Sequence, residues 1–398
     1  MARDGNAKGM KETKFKDTEL GKIPEEWEVC NLGSIGVPLM CKRIMKWQTN
    51  ETAGIPFYKI GTFGKQADAF IAPDIWRYMI THFNYPRKGD ILISAAGTIG
   101  RTVVFDGQPS YFQDSNIVWI DNDEEKVLNP YLEYAYTKIA WSTDASTISR
   151  LYNNNLKSAL ILFPHDKAEQ QRIASALSDA DALVAELDAL IEKKRAIMAG
   201  TMQELLTGKR RLQGFSGERK ETSLSYFGNV TMGQSPSSLF YNDAKDGLPL
   251  IQGNADMCNR KSIIRNYTSK ITKTCNAGDI IMSVRAPVGA VGIASFDSCI
   301  GRGVCAFKRN NFLYYLLLFI EDDWSKLSAG STFESVNGNH IRNFEVTIPS
   351  SLAEQRAIAS ILSDMDAEIA ELEAKRDKYK EVRQGMMQQL LTGKIRLI

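Results

Sequence analysis

Apolar residues recur along two long segments of the chain in alternating steps of four and three positions. In the first segment the stripe comprises Ile173, Leu177, Ala180, Val184, Leu187, Ile191, Met198 and Leu205. In the second it comprises Ile358, Leu362, Met365, Ile369, Leu372, Tyr379, Met386 and Leu390. The stripes are interrupted at Lys194, Thr201, Arg376 and Arg383, and each segment is followed by a glycine, Gly208 or Gly393. This spacing predicts two long helices that meet along a coiled-coil seam and stop at the glycines.

Shorter apolar runs bounded by glycine and proline lie outside these segments. They predict strands over residues 90–95, 117–120, 279–284 and 291–294. Helical patterns occur over residues 129–139 and 311–327. The globular parts are therefore predicted to mix α and β structure, whereas the order of the strands does not follow from the pattern.

The two long segments are copies of one another. Residues 168–212 align without a gap to residues 353–397 at an offset of 185, and 26 of the 45 positions are identical. The match continues more faintly upstream, where Gly89-Asp90-Ile91 corresponds to Gly278-Asp279-Ile280. Such a duplication predicts two pseudo-symmetric halves, each a variable domain followed by a closely repeated helical connector.

The predicted boundaries are 1–167 for the first domain, 168–212 for the first helical spacer, 213–352 for the second domain and 353–398 for the second spacer. The expected fold class is α+β, with two pseudo-symmetric mixed α/β domains joined by two long helices in an antiparallel coiled coil. Pairing of each helix with another protein is the alternative that the sequence leaves open.

Composition places the chain among folded proteins with two cores. It has 398 residues, of which 43% are hydrophobic and 24% charged. The start is polar, and the longest apolar run, residues 312–320, is far shorter than the roughly 20 residues that cross a bilayer. The six cysteines include no C-x-x-C pair. We therefore expect a cytoplasmic protein without a membrane partner, disulfides or a zinc site.

Charge is segregated along the chain although its net value is only +2. Residues 41–101 contain nine Lys and Arg against four Asp and Glu, and residues 256–309 contain nine against three. Basic faces on a nearly neutral protein suit the phosphates of a nucleic acid, although chance clustering on a solvated surface gives the same count.

Signatures of catalysis are missing from the sequence. The two LLTGK segments lack the upstream glycine and the hydroxyl of a phosphate-binding loop, and the three histidines are not at metal-ligand spacing. Asn129-Pro130-Tyr131 resembles part of an adenine-methyltransferase loop, but no glycine-rich cofactor loop precedes it. These observations favour a chain that does no chemistry itself.

Three motifs together resemble a known family over essentially the whole chain. They are KDTELGKIPEEWEVCNLGSI at residues 16–35, GDILISAAGTIG at residues 89–100, and the helix that twice begins with EQ and closes in LLTGK. The chain is similar to the specificity subunits of type I restriction-modification enzymes. The second variable domain lacks the IPEEW element, so its start is less clearly marked.

The resemblance implies two target recognition domains, each reading one half of a bipartite sequence in double-stranded DNA. It further implies that the helical spacers dock two DNA-methyltransferase subunits, with two restriction (motor-nuclease) subunits where the complex also cleaves DNA. S-adenosylmethionine, ATP and Mg²⁺ would then belong to those partners, and this chain would bind no cofactor or metal.

Base reading needs donors and acceptors that enter a groove, although most protein contacts to DNA go to phosphates. The candidate DNA-binding residues in the first domain are Lys42, Arg43, Lys46, Thr98, Arg101 and Gln113. Those in the second domain are Arg260, Lys261, Arg265, Arg285 and Arg302, and Asn116 and Asn337 are weaker polar candidates. A coiled-coil scaffold that joins two protein-binding domains is the main alternative, and an enzyme acting alone is a third.

Overall fold

The computed structural model describes residues 14–141, 150–324 and 335–398. The chain divides into two compact units, the first formed by Met1–Glu186 with Arg376–Ile398 and the second by Leu187–Lys375. Two long helices, Lys167–Thr207 and Leu352–Leu390, each contribute to both units. The first unit is thus built from both ends of the sequence.

The first unit contains two four-stranded sheets. One has the order Gly36–Leu39, Ile117–Asn122, Ile91–Ser94 and Thr102–Val104, all antiparallel. The other has the order Tyr111–Phe112, Ile55–Tyr58, Phe70–Ile71 and Thr49–Asn50. Two antiparallel pairs accompany them, Phe15–Thr18 with Gly21–Pro24 and Trp27–Asn31 with Leu160–Pro164. The short helices are Pro73–His82, Asn129–Tyr136 and Asn153–Ser158.

The second unit repeats this arrangement with additional strands. Its larger sheet has the order Thr231–Met232, Val304–Phe307, Ile280–Ser283, Val291–Ile293, Lys261–Ser262 and Met257–Cys258. Its second sheet has the order Tyr241–Asn242, Tyr267–Thr268, Leu248–Ile251, Ser298–Ile300 and Thr274–Cys275. Arg219–Ser223 pairs with Glu345–Pro349, and the short helices include Asn311–Phe319 and Gly338–Arg342.

The predicted strands and helices are present, with ends that differ from the predicted ones by a few residues. The runs at 90–95 and 279–284 form the fully buried central strands Ile91–Ser94 and Ile280–Ser283. The helix predicted over 311–327 is interrupted at Ile320: the first helix ends at Phe319, where the backbone N–H of Ile320 donates to Leu316 O, and residues 321–324 are helical again. Residues 325–327 of that prediction lie outside the described part of the chain.

The long helices pack antiparallel to one another within each unit. In the first unit Ile173 and Leu177, near the start of one helix, share a core with Leu390 at the end of the other. In the second unit the pairing is reversed, since Leu205 shares a core with Ile358. The predicted antiparallel coiled coil is confirmed.

Two of the charged residues that interrupt the apolar stripes form ion pairs between the two long helices. In the first unit Arg383 donates hydrogen bonds to Asp181, and in the second Lys194 Nζ lies 2.5 Å from Glu368 Oε1. These two charged seam positions are therefore each matched to an acidic residue on the facing helix, which favours one register.

Candidate nucleic-acid interface

A basic loop leaves the edge strand Gly36–Leu39 of the first unit. Cys41 and Ile44 are buried and anchor the loop, whereas Lys42, Arg43 and Lys46 are exposed. The hydroxyl of Tyr111 also donates a 3.0 Å hydrogen bond to the carbonyl of Lys42. The alternation of apolar anchors and basic side chains therefore fixes the backbone while the charges face solvent.

Several predicted residues line one cleft of about 500 Å³ beside this loop. Arg43, Lys46, Gln113 and Asn116 all contribute to its wall. Sequence reasoning missed other polar residues of this cleft, among them Asn50, Lys59 and Arg150. Lys59 lies within the basic segment 41–101 and could have been found from charge alone. Arg150 is distant in sequence and reaches the cleft only because the chain folds.

Some side chains that line the cleft already form hydrogen bonds within the protein. Arg43 Nε donates to Asp114 Oδ2 at 2.9 Å, and the amide oxygen of Gln113 accepts from the backbone N–H of Ile60 at 3.0 Å. Neither contact uses the amide NH₂ of Gln113 or the terminal nitrogens of Arg43. The acidic residues Asp68 and Glu51 also line the cleft, so its wall carries both signs of charge.

Three other candidates of the first domain are not among the residues that line the cleft. Lys42 Nζ lies over the ring of Phe83 at 5.5 Å from its centroid. Thr98 is exposed, and its carbonyl accepts the hydroxyl of Ser94. The guanidinium of Arg101 donates to the carbonyl of Gly64 at 3.3 Å.

The loop that contains Thr98 and the loop that contains Arg285 have the same backbone hydrogen bond. The N–H of Gly100 donates to Ser94 O at 3.0 Å, and that of Gly289 donates to Ser283 O at 2.9 Å. Both glycines have positive φ, and a Cβ on Gly100 would lie 2.2 Å from Trp141 Nε1. Glycine is therefore required there by conformation and by packing. Arg285 itself is exposed.

The candidate residues of the second domain differ in their contacts within the protein. Arg260 donates to Glu321 Oε1 at 2.7 Å and to the carbonyl of Val291 at 3.2 Å, and the contact with Glu321 raises the pKa of Arg260. Arg265 lies 3.9 Å from Asp256. Lys261, Arg285 and Arg302 expose their side chains to solvent.

Asn337 has a structural role in the second unit. Its side-chain oxygen accepts hydrogen bonds from the backbone N–H groups of Asn339 at 2.9 Å and His340 at 3.0 Å. It is the N-cap of the helix Gly338–Arg342, so its acceptor is occupied.

Metal sites, membrane spans and reactive thiols would each indicate another class of protein. Within ranges 14–141, 150–324 and 335–398, no group of three or more His, Cys, Asp or Glu side chains is arranged to hold a metal ion. No helix in the same ranges combines the length and apolarity needed to cross a membrane. Burial raises the pKa of the Cys41 thiol to about 12 and of the Cys275 thiol to about 11, so both are protonated near neutral pH.

Comparison with known proteins gives a consistent result. The family model described as the type I restriction modification DNA specificity domain matches twice, over residues 24–194 and 218–381. A curated protein of Methanocaldococcus jannaschii, described as a type I restriction enzyme specificity subunit, is 30% identical over 97% of this chain and 98% of its own length. A Haemophilus influenzae specificity subunit is 52% identical over 174 residues, which are 44% of this chain and 45% of that relative.

A solved structure shares the fold. The S subunit of a type I restriction-modification system from M. genitalium superposes with a TM-score of 0.65 at 16% identity, covering 92% of this chain and 96% of that chain. The two matched segments of the family model fall on the two duplicated halves, and the M. jannaschii relative spans both. This chain therefore belongs to the type I restriction-modification DNA specificity subunits, the non-catalytic DNA-recognition chains of those enzymes.

Proposed function

We propose that the chain reads a bipartite target in double-stranded DNA, one half-site with each unit. The observation that carries the proposal is the duplication of the whole fold together with divergence of its loops. The first unit has a cleft lined by Arg43, Lys46 and Gln113, whereas the second exposes Lys261 on a short strand and Arg285 and Arg302 on loops. Equivalent frames with different polar groups suit two different base sequences.

Two DNA-methyltransferase subunits are the proposed partners, joined by two restriction subunits where the complex cleaves DNA. In support, Leu190 and Ile197 of the first long helix and Val382 of the second are exposed although they are apolar. Leu190 and Ile197 are seven residues apart and lie on one helix face, as a docking surface requires. S-adenosylmethionine, ATP and Mg²⁺ would bind to those partners and not to this chain, and the complex would act on DNA in the cytoplasm.

The test is methylation mapping of host DNA by long-read sequencing, with and without this gene. We expect one motif with two specified halves and an unspecified gap, which disappears when the gene is deleted. An unchanged methylation pattern would contradict the proposal. A scaffold of protein-binding domains would also lack the steep salt dependence of DNA binding that Lys and Arg contacts to phosphates produce.

Replacing Arg43 by alanine tests the assignment of one half-site to each unit. Because Arg43 lies in the first unit, Arg43→Ala is expected to relax or change one half-site of the mapped motif and leave the other intact. The measurement is the same methylation map. Changes in both halves would argue against independent reading.

A further inference from the structure

Each unit carries an exposed apolar side chain at the tip of the same loop. Trp47 is 81% exposed and Leu239 is 89% exposed, and these are the two most exposed large apolar side chains in the part of the chain that the structure describes. Single exposed apolar residues are ordinary on a protein surface. Two such residues at equivalent positions of a duplicated fold indicate a common role.

The two positions correspond through the strand topology. Trp47 lies in a 3₁₀ turn, Lys46–Gln48, between the edge strand Gly36–Leu39 and the short strand Thr49–Asn50. Leu239 lies in a 3₁₀ turn, Ser238–Phe240, between strands Thr231–Met232 and Tyr241–Asn242. In the first sheet Gly36–Leu39 pairs antiparallel with Ile117–Asn122, and in the second Thr231–Met232 pairs antiparallel with Val304–Phe307. Each of these partner strands follows the loop that contains Gly100 or Gly289. The correspondence therefore rests on the fold, although the two loops share no sequence motif.

Both tips are held in a defined conformation. In the first, the N–H of Gln48 donates to Met45 O at 2.9 Å, and the side chain of Gln48 accepts from the N–H of Met45 at 2.9 Å. In the second, the N–H of Phe240 donates to Ser237 O at 3.0 Å, and the Tyr241 hydroxyl donates to Pro236 O at 3.1 Å. A side chain on such a turn loses little further backbone entropy when it binds.

Basic residues lie near both tips. The first loop, residues 40–48, contains three basic residues and no acidic one. Beside the second, Lys270 Nζ lies 5.1 Å from the ring centroid of Phe240, and the backbone N–H of Arg302 donates to Ser235 Oγ at 3.0 Å. An apolar side chain with cationic side chains nearby matches a DNA groove, where base edges and thymine methyl groups lie between two rows of phosphates.

We propose that Trp47 and Leu239 are equivalent apolar contacts to the bases, one in each half-site. This inference rests on the proposed function and adds the residues that enter the groove. Lys42, Lys46 and Lys270 contact the phosphates on either side and carry the salt dependence. Because one tip is an aromatic ring and the other a branched alkyl group, the two tips favour different base steps.

The test uses the full chain assembled with its methyltransferase subunit, and duplexes that contain the methylation-mapped motif. Trp47→Ala is expected to raise the Kd on the order of 10-fold, because the contact buries part of the apolar surface of the indole. The slope of log Kd against log salt should stay unchanged, because an apolar contact releases no counterions. Lys46→Ala should instead reduce that slope by about one. Trp47→Phe should retain most of the affinity, and Phe15→Ala, which removes an exposed aromatic ring from the N-terminal hairpin, should bind like the wild type.

Two further duplexes separate the half-sites. Scrambling one half-site should abolish the effect of Trp47→Ala but not that of Leu239→Ala, and scrambling the other should do the reverse. If the wild-type complex shows no preference for the mapped motif, the proposed function itself fails. If the preference is present but Trp47→Ala and Leu239→Ala bind like the wild type, or weaken only assembly with the methyltransferase in sedimentation, the tips do not contact bases.

Discussion

Glu169 and Glu354 begin the two long helices, and each pairs with an arginine that follows the end of the other helix. Arg396 donates to Glu169 at 2.6 and 2.7 Å in the first unit, and Arg211 donates to Glu354 at 2.7 and 2.8 Å in the second. The neighbouring glutamines repeat the symmetry, since Gln170 donates to Pro164 O and Gln355 to Pro349 O, both at 2.8 Å. The glutamate of the repeated EQ motif and the arginine two residues after LLTGK are therefore the two sides of one contact that is made twice.

Neutralising Glu169 should destabilise the first unit. The Glu169 side chain is 1% exposed and that of Arg396 is 9% exposed, so Glu169→Gln leaves a desolvated guanidinium without its main partner. We expect a loss of about 3 kcal/mol in the free energy of unfolding, the low end for breaking a buried pair, because Glu26 still lies 2.8 Å from Arg396. Urea unfolding measures it.

The matched control is an exposed pair of the same unit. Asp68 lies 2.8 Å from Lys59, and both side chains are largely exposed to solvent. Asp68→Asn should change the free energy of unfolding by less than about 1 kcal/mol. Equal losses for Asp68→Asn and Glu169→Gln would show that burial does not set the strength of the Glu169 contact.

At the scale of elements, the end of each long helix follows from its glycine. Gly208 has φ +78° and Gly393 has φ +69°. Two residues further on, the N–H of Arg210 donates to Glu204 O at 3.1 Å, and that of Ile395 donates to Gln389 O at 3.2 Å. These hydrogen bonds join residues six positions apart and satisfy backbone carbonyls that would otherwise lack a partner at the helix end.

Glycines inside and after the first long helix should respond to alanine with opposite signs. Gly208→Ala places a Cβ at positive φ and 2.8 Å from Arg219 Cδ, so we expect a loss of about 1 kcal/mol or more. Gly200 lies within the helix, and a Cβ there would meet no atom within 4 Å, so Gly200→Ala should gain about 0.5 to 1 kcal/mol. Thermal unfolding of both variants measures this. A gain for Gly208→Ala would contradict the left-handed helix end.

The elements that the sequence predicts are those with a local cause. The long helices, the glycines that end them and the buried central strands are each predicted by the spacing or composition of a few neighbouring residues. The cleft does not, because Asn50, Gln113 and Arg150 are far apart in sequence and meet only through the two sheets. The exposure of Trp47 does not follow from the sequence either, since an aromatic residue in a basic run could equally be a core anchor, as Cys41 and Ile44 are.

At the scale of the whole molecule, the division of the long helices between the units is the feature that no local pattern shows. The last residues of the chain complete the core of the first unit, where Leu390 and Leu391 pack among residues such as Trp27 and Leu177. Gly393 also packs closely, since a Cβ there would lie 2.5 Å from Pro24 Cγ. Arg396 adds its pair with Glu169 and lies 5.9 Å from the ring centroid of Trp27.

Ending the chain at Leu390 should therefore loosen the first unit and spare the second. The truncation removes Leu391, Gly393 and Arg396, exposing Trp27 to solvent and leaving Glu169 buried without its arginine, and both changes are unfavourable. Hydrogen exchange followed by mass spectrometry should show faster exchange in strands Trp27–Asn31 and Leu160–Pro164, which pair with each other beside this core. The internal control is strand Ile280–Ser283 in the second unit, whose exchange should not change. Equal loss of protection in that strand would mean that the two units unfold as one, and unchanged protection in the first unit would mean that the final residues contribute nothing to its core.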